Sequence, residues 1–324
     1  MRAIQIDRHG GPEVMRVVDV PLPEPGPGSV RVRHTAIGVN YIDTYYRSGL
    51  YGSKLPTVLG DEAAGTIDAL GEGVTGFAVG DRVAYVARGP GSYAEARTVD
   101  VSRVVRLPAA IGDDTAAAMM LKGLTVEYLL LRTRHGLEPG DAIVWHAAAG
   151  GVGLIACQWA KALGYRVIAT AGGAHKCELA LAHGAAHAVD YKTEDVVARV
   201  KDLTGGRGVP CVFDSVGKDT FERSLDCLQP LGLLVSFGNA SGAVPPFSPL
   251  ELSKRGSLYV TRPTLQTHLA MPGAMGEMSR ALFDVVKHHK VRVEIGQRFP
   301  LDQAEAAHRA LESRATVGAT VLLP

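Results

Sequence analysis

Apolar and polar positions alternate most regularly near the start of the chain. Residues 30–36, VRVRHTA, switch character at every step, the period of a half-buried strand. Short β-like runs recur at 3–6, 14–20, 64–70, 82–86 and 93–99, with turn-rich pieces between them such as PLPEPGPG at 21–28. Many short strands at this spacing predict a small, irregular, β-barrel-like domain.

The pattern changes after Pro108. A helical period runs over about 115–135, and from there strand and helix alternate. Strand-like runs fall at 142–145, 166–171, 188–191, 212–215, 233–237 and 258–261. Helical stretches at 152–163, 175–183, 194–203 and 219–228 lie between the first five. This alternation predicts a parallel sheet covered by helices on both faces. Near the end, Met278, Ala281, Leu282, Val285 and Val286 recur at helical spacing, and no further βαβ unit is expected. Asp302 with Glu305 reads as a capping box opening a short helix toward Leu311, and 320–323 read as a strand. The expected fold class is therefore α/β. Residues 1–120 begin one domain, 121–265 form the doubly wound one, and 266–324 return to the first.

Length and composition narrow the function classes. At 324 residues two domains are the default, and 46% hydrophobic content argues against long disordered tracts. A net charge of +1 with mixed signs gives no footprint for nucleic acid or an anionic membrane. The first residues, MRAIQID, lack an apolar leader core, and glycines and polar residues break the most apolar window, 142–160. Cys157, Cys177, Cys211 and Cys227 show no C-x-x-C spacing and read as reduced, mostly buried residues of a cytoplasmic protein.

The chemistry starts at HAAAGGVG, residues 146–153. Within it, Ala148-Ala149-Gly150-Gly151-Val152-Gly153 fits A-x-G-x-x-G, placed after a strand and at the start of a helix. One small residue permits the turn, one lets backbone N–H groups approach a pyrophosphate, and one allows close helix–strand packing. About 20 residues further on, an NAD enzyme places an acid for the ribose 2′-OH. Here the sequence reads Thr170-Ala171-Gly172-Gly173, followed by Lys176. The missing carboxylate points to a 2′-phosphate and so to NADPH; Lys176 is either part of that site or a solvated helix residue. His146 reads as a buried, hydrogen-bonded histidine, and His288-His289 as a solvated helix end.

With these residues in place, the chain resembles bacterial quinone oxidoreductases of the zeta-crystallin branch of the zinc-free medium-chain dehydrogenase/reductase superfamily. The likeness runs nearly end to end. It includes HGGPEV (9–14), AIGVNYIDTYYRSGLY (36–51), KGLTV (122–126), HAAAGGVGLIACQWAKALG (146–164), SLDCLQ (224–229), VSFGNASGAV (235–244), GSLYVTRPTLQ (256–266) and LESRAT (311–316). The resemblance implies a GroES-like, β-barrel-like catalytic domain, a Rossmann domain and a homodimer.

Zinc-dependent relatives carry a cysteine on the early loop and a Gly-His-Glu. This chain reads Gly38-Val39-Asn40-Tyr41-Ile42-Asp43 and Gly60-Asp61-Glu62, with no cysteine before Cys157, so no Cys/His zinc site can be assembled there. For Asp43, Asp61 and Glu62 the alternatives are metal binding and ordinary hydrogen-bonding roles, and the latter are assigned. Quinones and alkenes conjugated to a carbonyl are already electron-poor, so hydride transfer to them needs mainly positioning.

The resemblance further implies a cleft formed by Asn40, Asp43, Tyr46 and Tyr51. There Tyr46 or Tyr51 either donates to a developing oxyanion or packs beneath the cleft. It puts Lys122 and Thr125 at the cofactor's ribose–phosphate portion. Lys176, Tyr191 and Arg314 fall at the 2′-phosphate, and Ser215, Gly217, Phe237, Gly238 and Asn239 along the adenosine and nicotinamide path. The implied activity is NADPH-dependent reduction of a small quinone. Reduction of enones or alkenals, and a non-catalytic NADPH- or RNA-binding role like that of crystallin relatives, stand as the alternatives. The run 256–261 is a candidate open sheet edge for a second copy.

Overall fold

The computed structural model describes residues 1–133 and 136–324. The last two residues of the helical stretch expected over 115–135 lie outside the described residues. The chain divides into two compact units, Met1–Leu124 with Pro272–Lys287 and Val293–Pro324, and Thr125–Met271 with His288–Arg292.

The first unit begins with β1 (Arg2–Ile6), β2 (Arg16–Asp19) and the long β3 (Ser29–Val39), whose inward positions alternate as its sequence does. Helix α1 (Tyr41–Ser48) follows directly, where the sequence reading places a loop. That reading overlooks a local signal. Asn40 is the N-cap and Asp43 stands three residues on, and the Asp43 carboxylate accepts the Asn40 backbone N–H at 2.7 Å. Then come β4 (Thr57–Val58), β5 (Glu62–Leu70), β6 (Arg82–Val86), β7 (Ala96–Asp100), β8 (Val104–Arg106) and helix α2 (Asp113–Glu127).

The second unit carries β9 (Ala142–Trp145), α3 (Gly151–Ala162), β10 (Arg166–Ala171), α4 (Ala174–Ala182), β11 (His187–Asp190) and α5 (Val196–Leu203). It continues through β12 (Val209–Asp214), α6 (Phe221–Asp226), β13 (Leu228–Ser236), α7 (Leu250–Lys254), β14 (Tyr259–Thr261) and α8 (Leu265–Leu269). All strand pairs are parallel, in the order β11-β10-β9-β12-β13-β14. The order reverses between β9 and β12, the place where doubly wound sheets open a crevice at their carboxyl ends. Continuous apolar runs such as Ile143–Trp145 and Val167–Ala169 fit strands with little solvent on either face. Val144, Ile168, Val189, Val212 and Leu234 form the centre of this unit's core.

The chain then returns to the first unit with α9 (Ala274–Lys287), β15 (Ile295–Pro300), α10 (Ala304–Glu312) and β16 (Ala319–Leu323). Strand β16 pairs antiparallel with the end of β3, Thr320 opposite Val39 and Leu322 opposite Ile37. Leu301, Ala304, Ala307 and Leu322 join the core built by Ile4, Ile6, Val32, Ile37 and Tyr85. Two expectations are corrected here. β15 pairs parallel with β16 across α10, so a further β-α-β unit does exist. Its first strand, IGQRFP, is half-buried and holds a glycine and a proline, which hide the period. The capping box at Asp302 does not form: Asp302 lies in a 3₁₀ turn, and the Glu305 carboxylate accepts from Arg309 instead.

Candidate active site

In the first unit the candidate residues cluster where β3 ends and α1 begins. The Asn40 side-chain amide donates to Glu62 Oε1 at 2.7 Å. Glu62 is fully buried at the start of β5 and also accepts from the Leu121 N–H at 2.6 Å and Lys122 Nζ at 3.3 Å. Lys122 thus points its ammonium at an internal carboxylate, within the same unit. Asp43 is also fully buried, and its Oδ2 accepts from Tyr93 Oη at 2.9 Å as well as from the α1 N-terminus.

Behind Tyr93 stands a chain the sequence does not announce. Tyr93 Oη lies 3.0 Å from His308 Nε2, Arg47 Nη1 lies 2.9 Å from His308 Nδ1, and Arg47 Nη2 bonds Glu312 at 2.6 Å. Arginine can only donate, so Nδ1 accepts, Nε2 carries the hydrogen, and the imidazole is neutral. Burial, then the neighbouring Arg47 charge, push His308 down to about 3, in keeping with that tautomer.

Three acids therefore share one buried corner: Asp43, Asp61 and Glu62. Burial and then the Asp61 charge push Asp43 well above the usual carboxylate range. Burial raises Asp61 to about 7, against the opposing pull of Arg97. Tyr46, on α1, is pushed up to about 12 by burial, then by Asp61, Asp43 and Tyr51. Its ring meets Tyr51 edge-on with centroids 6.0 Å apart, and Tyr51 packs likewise on Tyr45 at 5.2 Å. The structure thus brings Asn40, Asp43, Tyr46 and Tyr51 together, adds Lys122 through Glu62, and places Thr125 in the second unit.

The second unit holds the glycine turn. Leu154 N–H bonds Gly150 O at 2.9 Å, so the N–H groups of Gly151, Val152 and Gly153 precede the ladder of α3. No side chain caps this end and no acid stands in its first turn. A bare helix N-terminus of this kind suits a phosphate. A Cβ on Gly153 would lie 2.5 Å from Ala148 Cα, so this glycine serves packing, whereas Gly150 meets only Ala147 O at 3.3 Å. Ala149 is buried beside them. His146 beneath the turn is buried between Thr170 Oγ1 at 2.8 Å and Ser224 Oγ at 3.0 Å. Ser224 in turn donates to Asp214, whose Oδ1 accepts the N–H groups of Val216 and Gly217.

At the end of β10, a Cβ on Gly172 would lie 2.5 Å from Tyr191 Oη and 3.3 Å from Lys192 Cε. Lys176 is pulled down by burial and then by the Lys192 charge, which sets two ammonium groups at one edge. Lys192 was not among the sequence candidates, although it directly follows one of them. An acid is present one strand over, but Asp190 Oδ1 is committed to the N–H groups of Gly173 at 2.9 Å and Lys192 at 3.0 Å.

Ser215 and Gly217, after β12, pack against Gly238 and Gly242, after β13. Phe237 leans on Trp145 with centroids 5.7 Å apart, and Asn239 is half-buried next in the chain. Arg314 follows α10 in the first unit, whereas Lys176 and Tyr191 belong to the second.

Residues 151–280 match the family model of zinc-binding dehydrogenases, and residues 26–109 that of the alcohol dehydrogenase GroES-like domain. A quinone oxidoreductase of Pseudomonas aeruginosa is 52% identical over 324 residues, covering 100% of this chain and 99% of that protein. The chain belongs to the quinone oxidoreductase family. A crystal structure of the Escherichia coli quinone oxidoreductase complexed with NADPH is 47% identical, superposes with a TM-score of 0.98 and is covered over 100% of both chains. A 2-haloacrylate reductase of a Burkholderia species is 42% identical over 329 residues, covering 99% of this chain and 98% of that protein.

The family's zinc-binding label does not fit the donors present here. Glu62 is saturated by Asn40, Leu121 and Lys122, His308 by Tyr93 and Arg47, and all four cysteines lie in the second unit. The family's dinucleotide does fit: no side chain caps the helix end, Gly172 lets Tyr191 and Lys192 approach the edge, and Lys176 and Lys192 supply positive charge.

Proposed function

We propose that this protein reduces quinones with NADPH, by hydride/electron transfer from the nicotinamide and without a metal. The full-length likeness to quinone oxidoreductases carries the reading, and the edge at Gly172, Lys176 and Lys192 supports its NADP part. Gly151, Val152 and Gly153, with Ala149 and Gly150, would hold the pyrophosphate. Lys176, Lys192, Tyr191 and Arg314 would hold the 2′-phosphate, and Ser215, Gly217, Phe237, Gly238 and Asn239 the remaining path. Bound there, the dinucleotide supplies the electron pair.

Asn40 and Asp43, locked to α1 and Glu62, shape the acceptor side, and Tyr46 and Tyr51 offer hydroxyls over it. In this reading residues 1–120 and 266–324 are the catalytic domain and 121–265 the cofactor domain. The test is turnover of simple benzoquinones and naphthoquinones, at least about tenfold faster with NADPH than with NADH. Equal rates with both would sink the cofactor argument.

Reduction of activated alkenes is the second reading, favoured by the likeness to the 2-haloacrylate reductase. Saturation of an alkenal without quinone turnover would select it. We also place the protein in the cytoplasm, within the zeta-crystallin branch, as a homodimer. Support for the dimer is β14, an edge strand whose Tyr259 is 59% exposed, and support for the compartment is four unbridged cysteines.

A further inference from the structure

We propose that Asp61 stores the proton that the reduced quinone takes up, with its burial beside Glu62 keeping that acid neutral. Asp61 stands between β4 and β5, buried, and among the described residues its Oδ1 has no hydrogen-bond partner; the same holds for Asp43 Oδ1. The groups that face Asp61 are Asp43, Glu62, Tyr46, Tyr85, Tyr93 and Arg97. Arg97 alone among them is cationic, and its nitrogens are committed elsewhere. Nη1 donates to Ser92 Oγ at 2.9 Å and Gly60 O at 3.4 Å, and Nη2 to Gly89 O at 3.0 Å and Pro90 O at 3.1 Å. An ionised Asp61 would be a buried anion facing two further acids, without an ion pair among the described residues. A protonated carboxyl removes that penalty and turns an orphan acceptor into an O–H donor. Its titration near 7 agrees with this geometry.

The inference rests on the quinone reading, and the chemistry needs such a group. The quinone gains a hydride with its electron pair from the nicotinamide, which is oxidised; the quinone's second oxygen is left as an anion. One proton completes the hydroquinone, a phenol of pKa about 10. Tyr46, pushed up to about 12, holds its proton more tightly than that product does. It can orient the oxyanion by hydrogen bonding but is a poor net source. Asp61 is the stronger acid: its O–H bond breaks, the hydroquinone O–H forms, and the carboxylate is reprotonated from solvent between turnovers.

The experiment is Asp61→Asn, isosteric and unable to release a proton. Two quinones are compared from about pH 5 to 9: benzoquinone, and tetrachlorobenzoquinone, whose anion is stable enough to leave unprotonated. The expected result is a wild-type kcat with benzoquinone that falls above about pH 7. In the variant that limb is lost and kcat drops at least about tenfold, while tetrachlorobenzoquinone turnover changes less than about threefold. Infrared difference spectra without substrate give an independent readout. A protonated-carboxyl C=O band should bleach near neutrality in wild type; Asp61→Asn should lose that component and keep at most the Asp43 one, which Asp43→Asn identifies. A retained pH profile, an equal loss with both quinones, or a full wild-type bleach in Asp61→Asn would overturn the proposal. A wild type that shows the band but turns over no quinone defeats the substrate reading instead.

Discussion

Replacing Lys122 by methionine keeps the length of the side chain and leaves Glu62 fully buried without its counter-ion. The ammonium and carboxylate stand 3.3 Å apart with both side chains inside the protein. Two unit charges at that distance attract by about 5 kcal/mol at an effective dielectric of about 20. Breaking a buried pair on one side costs about 3–5 kcal/mol. Asn40 and the Leu121 N–H still bond Glu62, so the lower end, about 3 kcal/mol, is expected. In a domain of this size that lowers Tm by roughly 6–12 °C. Adding Glu62→Gln removes the stranded charge but turns an NH2 toward a donor, Asn40 or the Leu121 N–H, so the double variant should recover about half of the loss. Thermal melts of the four proteins of the cycle test this, with NADPH titrations alongside. If Lys122→Met melts with the wild type, the pair is not a structural one. If the double variant recovers that share yet binds NADPH at least about tenfold more weakly, Lys122 serves the cofactor's ribose–phosphate portion after all.

Lys176→Ala should weaken NADPH binding about five- to tenfold, the share of a charge-assisted hydrogen bond discounted for partial exposure. NADH affinity should hold, because only the 2′-phosphate distinguishes the two; equal losses in fluorescence titrations would remove Lys176 from the phosphate site. Acid should destabilise the first unit. His34 is lowered to about 4 and His308 to about 3, burial being the main cause in each. Both fold neutral, so the unfolded chain binds more protons below about pH 6.5, and stability falls as pH drops toward those folded values, by up to about 1.4 kcal/mol per pH unit for each histidine. Asp61 works in the opposite direction, losing stability as pH rises toward 7. His308→Gln keeps an acceptor for Arg47 and a donor for Tyr93, so it should flatten the acid limb of Tm against pH; an unchanged limb would mean that His308 is not the titrating group.

The doubly wound sheet was readable because each of its strands signals itself locally. Ile143–Trp145 and Val167–Ala169 are continuous apolar runs, and the glycine turn marks where strand passes into helix. The return segment was harder. Ile295–Pro300 exposes alternate residues and ends on proline, so its pairing with β16 is decided by the core that Leu301, Ala304 and Leu322 enter rather than by its own sequence. Asp302 and Glu305 matched a capping pattern, but Arg309 one turn later offered Glu305 a charged partner and the local box lost.

The candidate site divides along the same physical line. Absence of an acid after β10 is a one-dimensional fact, and it led directly to the edge where Gly172, Tyr191 and Lys176 meet. Lys192 escaped notice because its part depends on a neighbour across the edge, seen only as pressure on the Lys176 charge. The acids were the opposite case: each was visible as a residue and none as a function. Asp43 is hydrogen-bonded by Tyr93, 50 positions away, and Tyr93 meets His308, 215 positions further along. Glu62 is made an ordinary carboxylate partner by Lys122, while Asp61, its immediate neighbour in the chain, has Arg97 near it but turned to other acceptors. Two adjacent acids therefore carry opposite duties, one fixing structure and one holding a proton. The difference lies in the partners each reaches: Glu62 has Lys122, Asn40 and the Leu121 N–H, and Asp61 is buried with an unpartnered Oδ1 among the described residues.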